Sequence, residues 1–92
     1  MNDVRLMRVK MVLYIKENCS LCDDAKTILN LLQDEYLFEY REKDIYTDES
    51  LLEKYHLSIP VLTYDNHVID EGNIDYFIVE KFLQNNKFSE NS

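Results

Sequence analysis

The sequence predicts an α/β fold with the element order β-α-β-α-β-β-α and a four-stranded mixed sheet. An apolar run over residues 9–15 leads straight into a helical pattern, and a second strand and helix follow between residues 37 and 56. Two short strand-like runs then flank Asp65-Asn66 and precede a last helical pattern. Alternating strands and helices favour parallel pairing, whereas a two-residue turn joins antiparallel strands. These observations together predict a mixed sheet.

Composition and charge narrow the class of protein. A length of 92 residues with 46% hydrophobic residues suits one globular domain over residues 1–92, with loose ends at about 1–8 and 85–92. The net charge of −8 argues against a nucleic-acid partner, because phosphate binding needs clustered Lys and Arg. No apolar run approaches the roughly 20 residues of a membrane span, and basic residues interrupt any signal-peptide core. We therefore expect a cytoplasmic monomer without a membrane partner.

The first strand and helix have distinct periodicities. Residues 9–15 are almost continuously apolar, interrupted by Lys10, which is typical of a strand covered on both faces. Apolar residues then recur at helical spacing, which predicts one buried helix face made of Leu21, Ala25, Ile28, Leu29 and Leu32.

Two cysteines lie where this strand gives way to the helix, in Cys19-Ser20-Leu21-Cys22. Free N–H groups and the positive end of the helix dipole favour a thiolate at Cys19, which is therefore the predicted nucleophile. Cys22 follows almost one turn later and can attack a mixed disulfide at Cys19. Asp23 and Asp24 fit the usual acidic preference of a first turn. In a reducing compartment such a pair is catalytic or metal-binding more often than structural.

The second strand and helix follow at residues 37–56. Phe38 and Tyr40 alternate with charged residues, which indicates a strand. Thr47 is the predicted N-cap of the next helix, and His56 suits its C-terminus because of the helix dipole. The apolar side of this helix is predicted to consist of Leu51, Leu52 and Tyr55.

The last third of the chain contains the hairpin and the final helix. Pro60 is placed at the first residue of the third strand, a position that a sheet tolerates. Asp65-Asn66 predicts a type I′ turn, with His67 on the solvent side opposite Tyr64. Gly72 and Asn73 separate the fourth strand, at His67-Val68-Ile69, from the last helix. The third helix is expected to end near Leu83, with an apolar side formed by Ile74, Phe77, Ile78 and Phe82.

The motif from Cys19 to Ala25, Cys-Ser-Leu-Cys-Asp-Asp-Ala, resembles the thioredoxin-like superfamily and, within it, the glutaredoxins. It is most similar to small bacterial glutaredoxin-like proteins with a C-x-L-C motif, over about residues 10 to 83. The resemblance implies a thioredoxin-like three-layer sandwich and a redox-active Cys19–Cys22 disulfide. Ile59-Pro60-Val61 resembles a second family marker, which implies a cis Ile59–Pro60 bond packed against the cysteines and substrate binding by Ile59 and Pro60.

Glutathione contacts are also implied by the resemblance, with two departures from the family pattern. Lys16 matches a glutathione-binding lysine three residues before the nucleophile, and Gly72 with Asp75 resembles the end of a Gly-Gly-x-x-Asp signature. Glu71, however, replaces the first glycine, and Ser20-Leu21 replaces a common Pro-Tyr pair. We therefore expect no resident cofactor, weak binding of glutathione as a co-substrate, and a protein or another small thiol as the better reductant.

The predicted function is that of a thiol-disulfide oxidoreductase in electron transport, which exchanges disulfides of a protein or small-thiol substrate through Cys19 and Cys22. One alternative is an iron–sulfur cluster carrier in which Cys19 of two chains and a small thiol hold the cluster. Another is a redox-sensing or binding module without turnover. A structural zinc site is not expected, because the two cysteines are joined only by His56 and His67 on separate elements.

Overall fold

The computed structural model describes residues 9–86. Its helices and strands follow the predicted order. Apart from residues 85 and 86, the expected loose ends lie outside the described residues. The elements are β1 (Val9–Ile15), α1 (Ser20–Leu32), β2 (Phe38–Asp44), a 3₁₀ turn (Ile45–Thr47), α2 (Glu49–Tyr55), β3 (Val61–Tyr64), β4 (His67–Glu71) and α3 (Tyr76–Asn85).

The four strands form one mixed sheet in the order β2-β1-β3-β4. β1 and β2 are parallel, with Ile15 opposite Asp44, whereas β3 is antiparallel to both β1 and β4. Val61 lies opposite Tyr14 on one side and Glu71 on the other. The carboxyl ends of β1, β2 and β4 and the amino end of β3 therefore share one edge of the sheet, which we call the site edge.

The sheet separates two apolar clusters because alternate residues of a strand point to opposite faces. On one face, Met11 and Leu13 of β1 are buried against α1 and α3 in the main core. On the other face, Tyr14 packs on Tyr55 of α2 with ring centroids 4.7 Å apart. This arrangement gives a helix layer on each side of the sheet, as the thioredoxin-like prediction requires.

The buried face of α1 differs from the predicted one at its first turn. Leu21 is 41% exposed, whereas Cys22 is only 1% exposed and lies on the buried face with Ala25, Leu29 and Leu32. The buried residues recur at intervals of three and four, and Leu21 lies outside that stripe. The side chain of Cys22 thus occupies the core position that the sequence pattern assigned to Leu21.

The N-cap of α2 is Asp48, so the predicted capping role of Thr47 is wrong. The Asp48 carboxylate accepts hydrogen bonds from the Ser50 N–H at 2.9 Å and the Ser50 hydroxyl at 2.7 Å. Thr47 ends the 3₁₀ turn, where its hydroxyl donates to the Asp44 carbonyl at 2.7 Å. The carboxylate of Asp48 can accept both donors at once, and these bonds lower its pKa.

The apolar side predicted for α3 is also partly wrong. Asp75 is the N-cap, so Ile74 precedes the helix, although it is buried. Phe77 is 72% exposed and Ile78 is 47% exposed. Val79 and Leu83, one turn apart, form the buried stripe instead, with Phe82 packed against the main core. The buried face of α3 is therefore rotated relative to the predicted one.

The hairpin between β3 and β4 has the predicted turn. Asp65 and Asn66 have φ values of 53° and 67°, as a type I′ turn requires. The exposed His67 pairs with Tyr64. Pro60 is buried and lies one residue before β3, rather than within it.

Two further features concern helix ends and lengths. His56 is the C-cap of α2, with its Nδ1 atom 3.0 Å from the Leu52 carbonyl oxygen, in agreement with its predicted structural role. Over residues 9–86, the helices are too short or too polar to cross a membrane.

Candidate redox site

The two cysteine sulfurs are bonded to each other but differ in accessibility. The Cys19–Cys22 disulfide joins Cα atoms that are 5.2 Å apart, a normal separation for a disulfide. Cys19 is half-buried, whereas Cys22 is 1% exposed. An incoming group therefore reaches the sulfur of Cys19 more easily than that of Cys22.

Cys19 is also the N-cap of α1, and its sulfur replaces the usual capping oxygen. Its backbone is extended, and its Sγ atom accepts a hydrogen bond from the Cys22 N–H at 3.1 Å. The Cys19 carbonyl accepts the Asp23 N–H at 3.1 Å, so the helix ladder starts here. A helix N-terminus stabilises a negative charge on such a sulfur. The predicted position of Cys19 at the helix start is confirmed.

The acidic first turn of α1 is largely in solvent. The Asp23 side chain is 78% exposed and lies 4.0 Å from the Lys26 ammonium group, which also lies 3.5 Å from Glu42. Water and this lysine screen the Asp23 carboxylate. The Asp24 side chain is exposed as well. Neither carboxylate is held against the sulfur of Cys19 by a hydrogen bond within residues 9–86.

Lys16 lies in the segment between β1 and Cys19. It is exposed and borders a groove of about 510 Å³, together with Glu17, Asn18, Asp44 and Tyr46. Among the described residues, Lys16 has no ion pair. Its ammonium group is therefore available to a ligand beside the disulfide.

The backbone of Ile59 is the second accessible feature of the site edge. The Ile59–Pro60 bond is cis, as the family resemblance implies, and it directly precedes β3. The Ile59 N–H and carbonyl groups form no hydrogen bond with another residue in the range 9–86. A donor and an acceptor of the backbone are thus available at the end of a strand.

Gly72, by contrast, has its N–H group already engaged. This group donates to the Pro60 carbonyl at 2.8 Å and to the Ser58 carbonyl at 3.1 Å. Gly72 has a φ of +75°, and a Cβ atom added there would meet nothing within 4 Å. Glycine is favoured here by the backbone conformation, and no side chain or backbone atom of the described residues crowds this position. A carboxylate bound by this N–H group, as predicted, would have to displace these two internal hydrogen bonds.

The start of α3 is occupied by the chain's own carboxylates. Asp70 accepts hydrogen bonds from the N–H groups of Glu71 and Asp75, both at 2.9 Å. Asp75 in turn accepts the N–H of Phe77 at 2.7 Å and that of Ile78 at 3.4 Å. We call residues 70–78 with these bonds the closed segment. The predicted ligand Asp75 is therefore the cap of its own helix.

Sequence reasoning misses two residues of this edge. Asp70 belongs to no predicted element or motif, although an aspartate before a glycine-containing loop commonly binds nearby backbone N–H groups. Tyr46 belongs to no motif, although it follows the end of β2, which the parallel pairing places beside the end of β1, and it shares a groove with Asn18. No three His, Cys, Asp or Glu side chains in the described part of the chain are grouped to hold a metal ion.

Solved structures with a similar fold include thioredoxins. The solution structure of protein Ne2328 from Nitrosomonas europaea has a TM-score of 0.75 and 27% identity, with coverage of 83% of this chain and 92% of that one. A mutant thioredoxin from Halobacterium salinarum has a TM-score of 0.63 at 18% identity, covering 92% and 80%. Fasciola hepatica thioredoxin has a TM-score of 0.57 at 18% identity, covering 87% and 82%. The two thioredoxins support the thioredoxin fold.

Comparison with sequence families assigns the chain to one family within the thioredoxin fold. A search among curated proteins finds no match. The family model described as the glutaredoxin-like domain (DUF836) matches residues 10–84, which include both cysteines, the cis proline and nearly all of α3. The fold and the cysteine pair agree with this match and support a redox-type function. The chain therefore belongs to the glutaredoxin-like domain family.

Proposed function

We propose that this protein is a dithiol-disulfide oxidoreductase in which Cys19 is the nucleophile and Cys22 is the resolving thiol. The observation that carries the proposal is the asymmetry of the pair. The sulfur of Cys19 is accessible and receives an N–H bond at the start of α1, whereas Cys22 is buried within bonding distance of it. Such an asymmetry suits a two-step exchange.

The proposed reaction starts from the reduced protein and transfers two electrons. The Cys19 thiolate attacks one sulfur of a substrate disulfide, the substrate S–S bond breaks, and the released substrate thiolate takes a proton from solvent. The Cys22 thiol, after losing its proton, attacks Cys19 Sγ in the mixed disulfide and releases the second substrate thiolate. The substrate is reduced to two thiols, and the protein is oxidised to the Cys19–Cys22 disulfide.

Substrate binding is proposed to use the free backbone groups of Ile59. An extended polypeptide can add to the end of a sheet by pairing its N–H and carbonyl groups with unpaired ones. Ile59 offers one of each, and the neighbouring Pro60 is buried and fixed by its bond from Gly72. Lys16 adds a positive charge for a carboxylate or for a leaving thiolate.

The electron donor is proposed to be a protein dithiol or a small thiol other than glutathione. The N–H groups of the closed segment at Glu71, Gly72 and Asp75 are already bonded within the chain, so an anionic tripeptide would have to displace those bonds. The exposed Glu71 carboxylate and the net charge of −8 also repel such a ligand.

The test is to compare Cys22→Ser with Cys19→Ser in the reaction with a protein disulfide. Cys22→Ser should accumulate a mixed disulfide through Cys19, detected as a mass increase that a reductant reverses. Cys19→Ser should accumulate none at neutral pH and should lack turnover. Trapping in a cell extract with Cys22→Ser then identifies the substrate. Accumulation by Cys19→Ser but not by Cys22→Ser would reverse the assigned roles, and no exchange by the wild type would contradict the activity.

A further inference from the structure

Tyr46 differs from every other tyrosine of the chain. The other six form ring contacts or hydroxyl hydrogen bonds: Tyr14 with Tyr55, Tyr36 with Glu80, Tyr40 with Asn30, Tyr64 with Phe82, and Tyr76 with Phe77. Tyr46 is 64% exposed, and its side chain has no hydrogen bond or ring contact within residues 9–86. An exposed tyrosine with no partner of its own is the type of side chain that protein interfaces use as an anchor.

The backbone beneath Tyr46 is well fixed. Its N–H donates to the Asp44 carboxylate at 2.9 Å, and the Thr47 hydroxyl donates to the Asp44 carbonyl at 2.7 Å. The preceding residue, Ile45, is completely buried. The ring is thus presented to solvent from a fixed turn, so covering it costs this chain little backbone entropy.

Tyr46 also joins two grooves at the site edge. One, of about 510 Å³, is lined by Lys16, Glu17, Asn18 and Asp44, and Asn18 directly precedes Cys19 in the chain. The other, of about 760 Å³, runs over α2 and is lined by Glu49, Ser50, Leu52, Glu53 and His56. We call the residues of both grooves, with Tyr46 between them, the Tyr46 surface. It extends from the segment before Cys19 across α2.

The charge of the Tyr46 surface is predominantly negative. Four carboxylates line it, on Glu17, Asp44, Glu49 and Glu53, whereas Lys16 is its only lysine or arginine among the described residues. The whole chain adds a net charge of −8. A basic partner is favoured by this field both on approach and at contact, and an arginine or lysine can also bind the face of the tyrosine ring.

We propose that the Tyr46 surface docks a polypeptide substrate carrying arginine or lysine near its disulfide cysteine. This inference rests on the proposed function and names its substrate class. The substrate cysteine meets Cys19, and the flanking basic side chain lies against Tyr46 and the carboxylates of α2. An aromatic anchor surrounded by charges is a common basis of specificity in protein interfaces.

The experiment measures single-turnover reduction of two synthetic peptides by the reduced protein in stopped flow. Both peptides have the same length and the same disulfide loop, and they differ only in flanking arginines or glutamates. Hydroxyethyl disulfide, which has no flanking groups, supplies the reference rate. The wild type should prefer the basic peptide, and Tyr46→Ala should reduce this preference roughly three- to tenfold, whereas Tyr46→Phe should keep most of it.

Charge variants distinguish the effect of the Tyr46 surface on the peptide preference from the effect of the net charge of the whole chain. Glu49→Gln/Glu53→Gln should reduce the preference for the basic peptide and its dependence on salt. Asp34→Asn/Glu35→Gln removes the same charge between α1 and β2, at the opposite edge of the sheet, and should preserve the preference. Equal rates for both peptides, a faster acidic peptide, or a preference untouched by Tyr46→Ala would overturn this inference. The proposed function itself fails only if the wild type also leaves hydroxyethyl disulfide unreduced.

Discussion

Ile59 and Asp70 both lie on the site edge, at the ends of neighbouring strands, but the backbone around them is in opposite states. The Ile59 N–H and carbonyl groups have no partner within residues 9–86, and Cys19 beyond β1 is half-exposed. Around Asp70, the N–H groups of Glu71, Gly72 and Asp75 are all bonded within the chain. The site edge therefore has an open half and a closed half.

The difference shows why a matching residue type does not establish a matching role. Gly72 and Asp75 fit a ligand-binding signature by identity and spacing, yet both serve the local fold here. A ligand that bound to the closed half would have to break hydrogen bonds that the chain already makes, and unsatisfied donors or acceptors are costly. A ligand at the open half replaces hydrogen bonds to water and breaks none within the described residues. The open half is therefore the better place for a substrate.

The largest expected effect concerns the two sulfurs themselves. In reduced single-cysteine proteins, the Cys19-only variant Cys22→Ser should be alkylated at least about tenfold faster at neutral pH than Cys19→Ser, because its thiolate is accessible and stabilised by the helix start. Alkylation rates measured against pH with iodoacetamide test this. Denatured samples of both variants provide the control and should react alike. A faster reaction of the Cys22-only protein would show that burial and capping do not set reactivity here.

The second-largest effect is expected from a substitution that makes the closed half more accessible to an anionic ligand. Asp70→Asn removes one negative charge and one of the two acceptors that hold the Glu71 and Asp75 N–H groups. Removal of a like charge near the surface is worth on the order of 1 kcal/mol, so reduction of the disulfide form by glutathione should accelerate roughly fivefold. Glu71→Gly should act in the same direction.

The matched control for Asp70→Asn is Asp65→Asn, which removes the same charge at the hairpin tip on the opposite edge of the sheet and keeps a residue that tolerates positive φ. It should leave the glutathione rate unchanged. Rapid reduction of the wild type by glutathione, with no gain from Asp70→Asn or Glu71→Gly, would remove the distinction between the two halves.

Sequence patterns were sufficient for the fold and the cysteine pair because both depend on local signals. The hairpin followed from Asp65-Asn66, and the helix start at Cys19 followed from the change of periodicity. The rotation of α3 was not predictable from apolar spacing, because apolar residues lie on several sides of this helix and only the packing of Val79 and Leu83 in the main core fixes which face is buried. Tyr46 required the strand register, since a residue so distant in sequence comes to share a groove with Lys16 and Asn18 only through the pairing of β1 with β2.

A smaller effect tests whether Asp75 is a cap or a ligand. Asp75→Ala removes the acceptor for the Phe77 and Ile78 N–H groups, which typically costs about 1 kcal/mol and lowers the Tm of a domain of this size by roughly 4–8 °C. Thermal unfolding followed by circular dichroism measures the change. Asp75→Asn keeps a capping oxygen and should restore most of the Tm. A ligand role would instead appear as slower reduction by thiols with the Tm preserved.

The smallest expected effect concerns another carboxylate that bonds to its own chain, Asp48. Hydrogen bonds from the Ser50 hydroxyl and N–H lower its pKa below the ordinary value of 3.8. A lowered pKa in the folded state means that the ionised carboxylate stabilises the fold above pH 3.8, and that this stabilisation is lost as the pH falls through the lower, folded-state pKa. Asp48→Asn should therefore reduce the Tm at pH 7, and the difference from wild type should shrink at a pH well below 3.8. The control is again Asp65→Asn, which removes the same charge from a side chain that makes no hydrogen bond within residues 9–86 and should keep the Tm at pH 7 near that of the wild type. A Tm difference for Asp48→Asn that stays constant with pH would show that the cap acts through its shape alone, whereas a shrinking difference assigns the stabilisation to the charge.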